Sequence, residues 1–240
     1  MSEKQEQLKS MREKRTGQVV PRFIVYIYGL LVMAFGIVLL IKADLGAMPW
    51  DVLHVGLYYQ LGLTIGSWSI IVGFFILTVS ALITKEFPPF GTFLNMLLVG
   101  LFIDMYLMLP FLQTPHTLIG KMIMFLSGVI INGYGVGIYI SAQFGAGPRD
   151  SLMIAITSKT GWKVRNVRAG IELIVLIIGW QLGGPVFWGT ILFTVAIGPI
   201  VGFALPQCQQ LTDLWLNYLR KREKMVDRKT GEETNRGAGA

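Results

Sequence analysis

The chain has 240 residues, 53% of them hydrophobic and only 15% charged, a balance that excludes an ordinary soluble domain and places it among membrane proteins. A formal net charge of +7 would suit a nucleic-acid binder, yet the basic residues sit in the two ends and one internal segment with no polar domain to present a groove. Nucleic acid is therefore excluded as a partner, and the charges read as topology signals and contacts with anionic membrane lipids. The single cysteine, Cys208, excludes an internal disulfide and any CxxC metal or redox motif.

Residues 1–21 form a basic tail with Lys4, Lys9, Arg12, Lys14 and Arg15. The apolar run from Phe23 to Ile41 is longer than a signal-peptide core and lacks a small-x-small cleavage site, so it reads as a first membrane helix. Runs long enough to cross ~30 Å of hydrocarbon lie at 22–42, 66–84, 91–110, 120–141, 167–183 and 187–206. Two shorter segments, 49–61 and 148–160, each open on a proline, Pro49 or Pro148, and each end at a glycine, Gly62 or Gly161. Proline suits a first helical turn and glycine a helix stop, so both read as short helices too short to cross upright. The positive-inside rule puts both termini in the cytoplasm.

After the last span, Leu211, Leu214, Trp215, Tyr218 and Leu219 recur at helical spacing before Arg220, Lys221, Arg222 and Lys224. Residues 207–225 are thus expected to form an interfacial amphipathic basic helix, and residues 226–240 a disordered polar tail.

One fixed offset carries Gly29 to Gly128, Gly36 to Gly135, Gly46 to Gly145, Pro49 to Pro148, Asp51 to Asp150 and Gly62 to Gly161. With one residue deleted, GTFLNMLLVG from Gly91 meets GTILFTVAIG from Gly189. The expected fold is an all-α polytopic membrane protein of about six spanning helices in two repeats, 22–112 and 120–206, each with a short half-helix. Three spans per repeat would set the copies in inverted topology. An arrangement in which the short segments also cross gives eight spans and parallel repeats, and charge alone does not separate the two.

Asp51 and Asp150 fall in the first turns of the short helices, where free amides and the macrodipole favour a carboxylate. Acids at membrane depth also mark ion, proton or substrate pathways, so both are candidate substrate or ion ligands. His54 lies one turn after Asp51 and becomes Met153 in the second copy, while Trp50 becomes Arg149. A His–Asp pair relays protons near neutral pH, although a lone histidine in a short interfacial helix is ordinarily just solvated. Glu172 follows Arg168 by one helical turn and invites an ion pair. Asp104, with no basic partner in its span, reads as a cavity-facing carboxylate. Asn95 and Asn132 read as helix-joining hydrogen-bonders or cavity groups, and the Gly133–Gly137 run as a close helix contact.

Gly46, Pro49, Gly145 and Pro148 form the structural frame of the recurring A-x-x-G-A-x-P-x-D-x-L pattern. Together with GWQLGGPVFWGT, this pattern resembles the YczE/YyaS/YitT-like family of bacterial integral membrane proteins over residues 22–206. The resemblance implies a multi-pass protein of the bacterial cytoplasmic membrane and carries over no catalytic residues.

HExxH, GxSxG, Walker and Cys/His metal patterns are absent from the sequence, so neither catalysis, a metal nor a cofactor is expected. The leading expectation is a transporter for a small solute, cationic or proton-coupled, with its site between the repeats. The alternative is a non-transporting membrane regulator or scaffold that recruits a cytosolic partner. Besides the solute and lipids, a second copy of the chain or a cytosolic protein are the candidate partners.

Overall fold

A computed structural model of the chain describes residues 18–145 and 147–237, with side chains as far as Arg222. The basic residues Lys4 to Arg15 and the last residues of the tail lie outside the described part. Eight helices follow one another: α1 Val19–Ala43, α2 Pro49–Leu61, α3 Ile65–Thr84, α4 Phe90–Leu107, α5 Leu118–Ser141, α6 Pro148–Thr160, α7 Val164–Gln181 and α8 Trp188–Gly237. No strand occurs among the described residues.

Both short helices start and stop where proline and glycine place them: Pro49 and Pro148 occupy first-turn positions, and Gly62 and Gly161 are the C-caps. At 13 residues each is ~20 Å long, well short of the hydrocarbon thickness. Thr64 and Thr117 cap α3 and α5 by accepting from the amides of Ser67 and Gly120 at 3.0 and 3.1 Å, the ordinary N-cap exchange.

Five helices, α1, α3, α4, α5 and the first part of α8, are long and apolar enough to cross a membrane. The expected span at 167–183 is a helix, but α7 carries Arg165, Arg168 and Glu172 in its first half, so its composition falls short of theirs. Large apolar side chains such as Phe75, Leu101, Ile123 and Val195 face outward. That is the reverse of a soluble fold and identifies the surface that meets lipid.

The core forms where α1 crosses α5, with α4 and α8 flanking them. Glycines bring the crossing helices together: a Cβ on Gly29 would lie 2.4 Å from the Tyr139 amide nitrogen, and one on Gly36 only 2.5 Å from that of Asn132. Gly135 meets Met33 in the same way. Small residues that admit a neighbouring backbone are the usual adhesive of membrane helices. The register, Gly29 beside Tyr139 and Gly36 beside Asn132, makes α1 and α5 antiparallel. Conversely, α1 runs parallel to α4, with the Tyr26 hydroxyl donating to the Gly91 carbonyl at 2.7 Å and Phe35 stacked on Tyr106. α5 runs parallel to α8, with Gly133 against Ile200 and Gly137 against Cys208.

A second, smaller cluster of Trp50, Leu53, Ile76 and Val175 joins α2, α3 and α7. Here α2 packs on α7 and α6 packs on α3, so each short helix leans on the other half of the chain. The loops that lead into them are held by backbone contacts. Gly189 N–H donates to the Leu45 carbonyl at 2.9 Å, and Ala47 N–H to that of Pro185 at 3.3 Å.

The C-terminal expectations are corrected. Residues 207–225 are not a separate interfacial helix but the continuation of α8, which runs through Pro199 and Pro206 without a break. Its inward side, Cys208, Thr212 and Leu216, is buried. Thr212 shares a 2.8 Å hydrogen bond with Ser141, and the Gln18 amide donates to the Leu216 carbonyl at 2.8 Å. Nor is the stretch from Val226 to Gly237 without structure, because α8 extends to Gly237: lengthening an existing helix avoids the nucleation cost that a free segment of this composition faces.

A Cβ on Gly91 would sit 2.1 Å from the Phe144 carbonyl oxygen and one on Gly189 only 2.3 Å from that of Leu45. Gly91→Ala and Gly189→Ala are each expected to destabilise the protein by ~1–3 kcal/mol through overpacking against backbone. Gly170→Ala, with nothing within 4 Å, is expected to be neutral or stabilising. Thermal midpoints of the three variants in one detergent at one scan rate check this.

Candidate functional site

The first turns of α2 and α6 meet inside the molecule. Pro49, Trp50 and His54 from α2 and Pro148, Arg149, Asp150 and Met153 from α6 line one cavity of about 300 Å³. Its remaining wall is largely apolar, including Met33, Ile37, Met96, Val99, Phe193 and Ile197. Polar groups from five long helices interrupt it: Ser69 on α3, Asn95 on α4, Asn132 and Tyr139 on α5, Arg168 and Glu172 on α7, and Thr194 on α8. An apolar hollow with a few convergent polar groups is the usual form of a small-molecule site.

Arg149 is its centre. The guanidinium lies 3.7 Å from Asp51 Oδ1 and its carbon is 5.1 Å from the Trp50 ring centroid, in range of a cation–π contact. Asp51, Asp150 and Glu172 are all within electrostatic reach of it. At positions 50 and 149 the two motifs differ, aromatic against cationic, and those two side chains touch each other. The position at which GAMPWD and GAGPRD differ in this way is therefore also where α2 and α6 make contact.

Asp51 is fully buried and does not itself line the cavity. Its Oδ1 is 3.7 Å from both Arg149 and His54 Nδ1, and neither carboxylate oxygen accepts a hydrogen bond among the described residues. His54 is 2% exposed, so the expectation of a merely solvated histidine is corrected: α2 lies inside the bundle, and the cavity and Asp51 are what its imidazole meets. Asp150 Oδ2 accepts from the Tyr139 hydroxyl at 3.3 Å. Glu172 Oε1 takes Arg168 Nε at 2.9 Å, the expected intrahelical pair, and both residues also border the cavity.

Asp104 is elsewhere. Its Oδ2 accepts from the Thr64 hydroxyl at 2.5 Å and its Oδ1 from the Gly66 amide at 2.8 Å. It is therefore not the cavity-facing carboxylate the sequence suggests, but a clamp supplied by α4 to the exposed amides at the start of α3. A carboxylate is stabilised there by the helix dipole.

The four frame residues hold the loops that enter the site. Gly46 has φ +106 with Thr190 against it, a conformation and a space that no side chain shares easily. A Cβ on Gly145 would reach the Gly91 carbonyl carbon at 2.6 Å. Pro49 and Pro148 begin the helices and face the cavity.

Sequence reasoning missed Tyr139 and the Trp50–Arg149 stack. Nothing local to Tyr139 points to Asp150, which lies across a loop. For the stack the available signal is the difference between Trp50 and Arg149 at matching motif positions, which does not by itself say that the two meet.

This geometry defines a class, an all-α multi-pass membrane protein with a charged cavity enclosed between its two halves. Residues 20–206 match the family described as "Family of unknown function (DUF6198)", and the chain belongs to that family. It is 48% identical over 203 residues to the uncharacterized membrane protein YczE of Bacillus subtilis (strain 168), covering 84% of this chain and 91% of that one. An uncharacterized protein of Haemophilus influenzae is 34% identical over 184 residues, 75% of this chain and 82% of that one. The protein YyaS of Bacillus subtilis is 30% identical over 178 residues, 74% and 88% of the two chains. No solved structure matches the chain. The resemblance expected from GAMPWD and GAGPRD thus holds for YczE and YyaS.

Removing Arg149 alone strands a buried carboxylate. Arg149→Met is expected to cost about 2 kcal/mol, less than the ~3–5 of a fully buried pair because water reaches part of the guanidinium. Adding Asp51→Asn is expected to recover much of that loss, giving a double-mutant coupling of ~1 kcal/mol or more. Asp104→Leu is expected to lower the thermal midpoint while leaving ligand binding at the cavity unchanged, which unfolding and binding measurements on one preparation distinguish.

Proposed function

We propose that the protein moves a small solute, cationic or proton-coupled, across the bacterial cytoplasmic membrane with both termini inside, from a site between two inverted repeats. The observation that carries this reading is the meeting of two broken-helix first turns at one cavity, with Arg149 bridging toward Asp51 across the halves at 3.7 Å. Half-helix ends that converge at mid-membrane are the binding architecture of secondary transporters.

The directions of packing support the inverted arrangement. If α2 crossed the membrane in full, α1 would run against α4 and alongside α5. Instead α1 is parallel to α4 and antiparallel to α5, as expected when three crossings make a half. The close approach of Gly91 to the Phe144 carbonyl has its counterpart, at the repeat offset, in that of Gly189 to Leu45.

Charge supports the solute class. Asp51, Asp150 and Glu172 stand against Arg149 and Arg168 at the site, which leaves one carboxylate in excess when His54 is neutral. Acids at this depth are costly and mark ion or substrate pathways, so a cation or a proton completes the balance. Catalysis is not part of this reading, since the sequence lacks the hydrolase and phosphate-binding patterns.

A second reading, a scaffold whose basic C-terminus recruits a cytosolic protein, is favoured by one observation. The 50 residues of α8 make ~75 Å of helix, far more than a bilayer needs. Truncation after Arg222 separates the two readings without removing the buried Cys208, Thr212 and Leu216. In proteoliposomes, Asp51→Asn with Asp150→Asn is expected to reduce uptake of a labelled amine to that of protein-free vesicles, while the truncated chain transports normally. The opposite pattern, with partner recruitment lost on truncation and intact in the double variant, would favour the scaffold.

A further inference from the structure

The two halves are packed unequally. In the first, α3 lies closely on α4: a Cβ on Gly66 would meet the Gly100 carbonyl at 2.1 Å, and Gly73 lies against Met96. The same repeat offset that pairs Gly91 with Gly189 carries Gly100 to Gly198 and Asp104 to Gly202. Yet α7 and α8 scarcely touch, and nothing lies within 4 Å of a Cβ on Gly198 or Gly202.

The gap leads somewhere. Arg168, Thr194 and Gly198 are exposed and also line the cavity. They therefore edge a slot that runs from the outside, between α7 and α8, to Trp50 and Arg149. The outer faces of the two helices beside it are apolar, with Ile174, Ile177, Val195 and Phe203 all exposed, which sets the slot at hydrocarbon depth. Its inner walls are apolar as well, Ile171 from α7 and Ile197 and Val201 from α8. At its edge the charge of Arg168 is taken up by Glu172 at 2.9 Å, whereas at the far end neither Asp51 oxygen accepts a hydrogen bond among the described residues and Asp150 receives a long one from Tyr139.

We propose that this slot is a lateral entrance and that the substrate is an amphipathic organic cation, an ammonium on an apolar body, which arrives from the bilayer rather than from water. The proposal rests on the transport reading and names its substrate class. A path walled mainly by apolar side chains, with Arg168 neutralised by Glu172 at its edge and excess carboxylate at its end, suits such a molecule, since its chain stays in a lipid-like surrounding while its head exchanges interfacial water for Asp51, Asp150 and the Trp50 face. A small hydrated cation gains nothing from that path.

The test uses the full chain in lipid nanodiscs with methylammonium and n-alkylammonium ions from butyl to octyl, after subtraction of binding to empty nanodiscs. Affinity is expected to rise roughly threefold to fourfold per added methylene. Gly198→Leu with Gly202→Leu fills the slot at positions open enough to spare the fold, and is expected to weaken octylammonium binding by about tenfold or more. Gly170→Leu, equally open but away from the cavity wall, is expected to change nothing.

A flat chain-length series, or octylammonium binding indifferent to slot filling, overturns the proposal. So do disulfide-linked dimers from Gly202→Cys in a Cys208→Ser chain, which would mean that a second copy covers the slot. Slot-dependent binding without uptake into liposomes keeps the entrance and sinks the transport reading. Methylammonium uptake unaffected by slot filling keeps transport and sinks the entrance.

Discussion

A backbone that leaves helical geometry at membrane depth must find its hydrogen-bond partners inside the protein, because lipid offers none. This chain does so twice, before Pro49 and before Pro148, and much of its architecture answers that demand. The loop at Leu45–Ala47 is met by the backbone of Pro185 and Gly189. The loop at Phe144–Gly145 is pressed onto Gly91 and Thr92. Each loop from one half is thus sealed by the start of the last helix in the other half. Neither half closes its own broken helix, so the halves are obliged to pack together, and α1 and α5 come into contact through Gly29, Gly36 and Gly135 as the centre of that union.

Once the broken helices are sealed this way, their first turns have nowhere to point but inward. Charges there would be expensive one at a time. At ~3.7 Å and an effective dielectric near 20, one ion pair recovers about 4 kcal/mol, comparable with the several kcal/mol it costs to desolvate each ion. Arg149 is placed to serve two carboxylates and does not hydrogen-bond Asp51 at all. The cluster is therefore near balance rather than locked, the condition under which a ligand charge or a proton can be exchanged without dismantling the fold. Tight bidentate pairs would have locked the cluster in one arrangement.

Much of this was legible from residue types because membrane helices obey few rules. Pro49 and Gly62 bounded α2, Pro148 and Gly161 bounded α6, and the repeat of GAMPWD as GAGPRD forecast that two like elements would be used in like ways. What failed to be legible depended on partners remote in sequence. Asp104 looked unpaired because its partners are the Thr64 hydroxyl and the Gly66 amide, which carry no charge for a sequence reading to find. His54 looked solvated because burial of a short helix depends on the whole bundle. The apolar spacing after Pro206 was real but misjudged in direction: Cys208, Thr212 and Leu216 turn toward α5 and Gln18, while Leu211, Leu214 and Tyr218 face out. A helix with apolar residues on more than one side reads as amphipathic only until its inner neighbour is known.

The departures from repetition turn out to be as informative as the repetition. Where the copies agree, at Gly91 and Gly189 or Pro49 and Pro148, they solve the same backbone problem in both halves. Where they disagree, they make the halves do different things. Trp50 against Arg149 turns a self-contact into a cation on an aromatic face. Asp104 against Gly202 goes further, because the carboxylate that clamps α3 to α4 has no counterpart to clamp α7 to α8. Gly198 and Gly202 keep a surface on which another helix can pack closely, yet the clamp that would fix it there is missing, and α7 carries charged residues where its counterpart carries glycines and serines. A duplicated unit with equal packing on both sides would enclose its cavity completely. With the clamp on one side alone, α3 is fixed closely to α4 through Gly66 and Gly100, whereas nothing lies within 4 Å of a Cβ on Gly198 or Gly202.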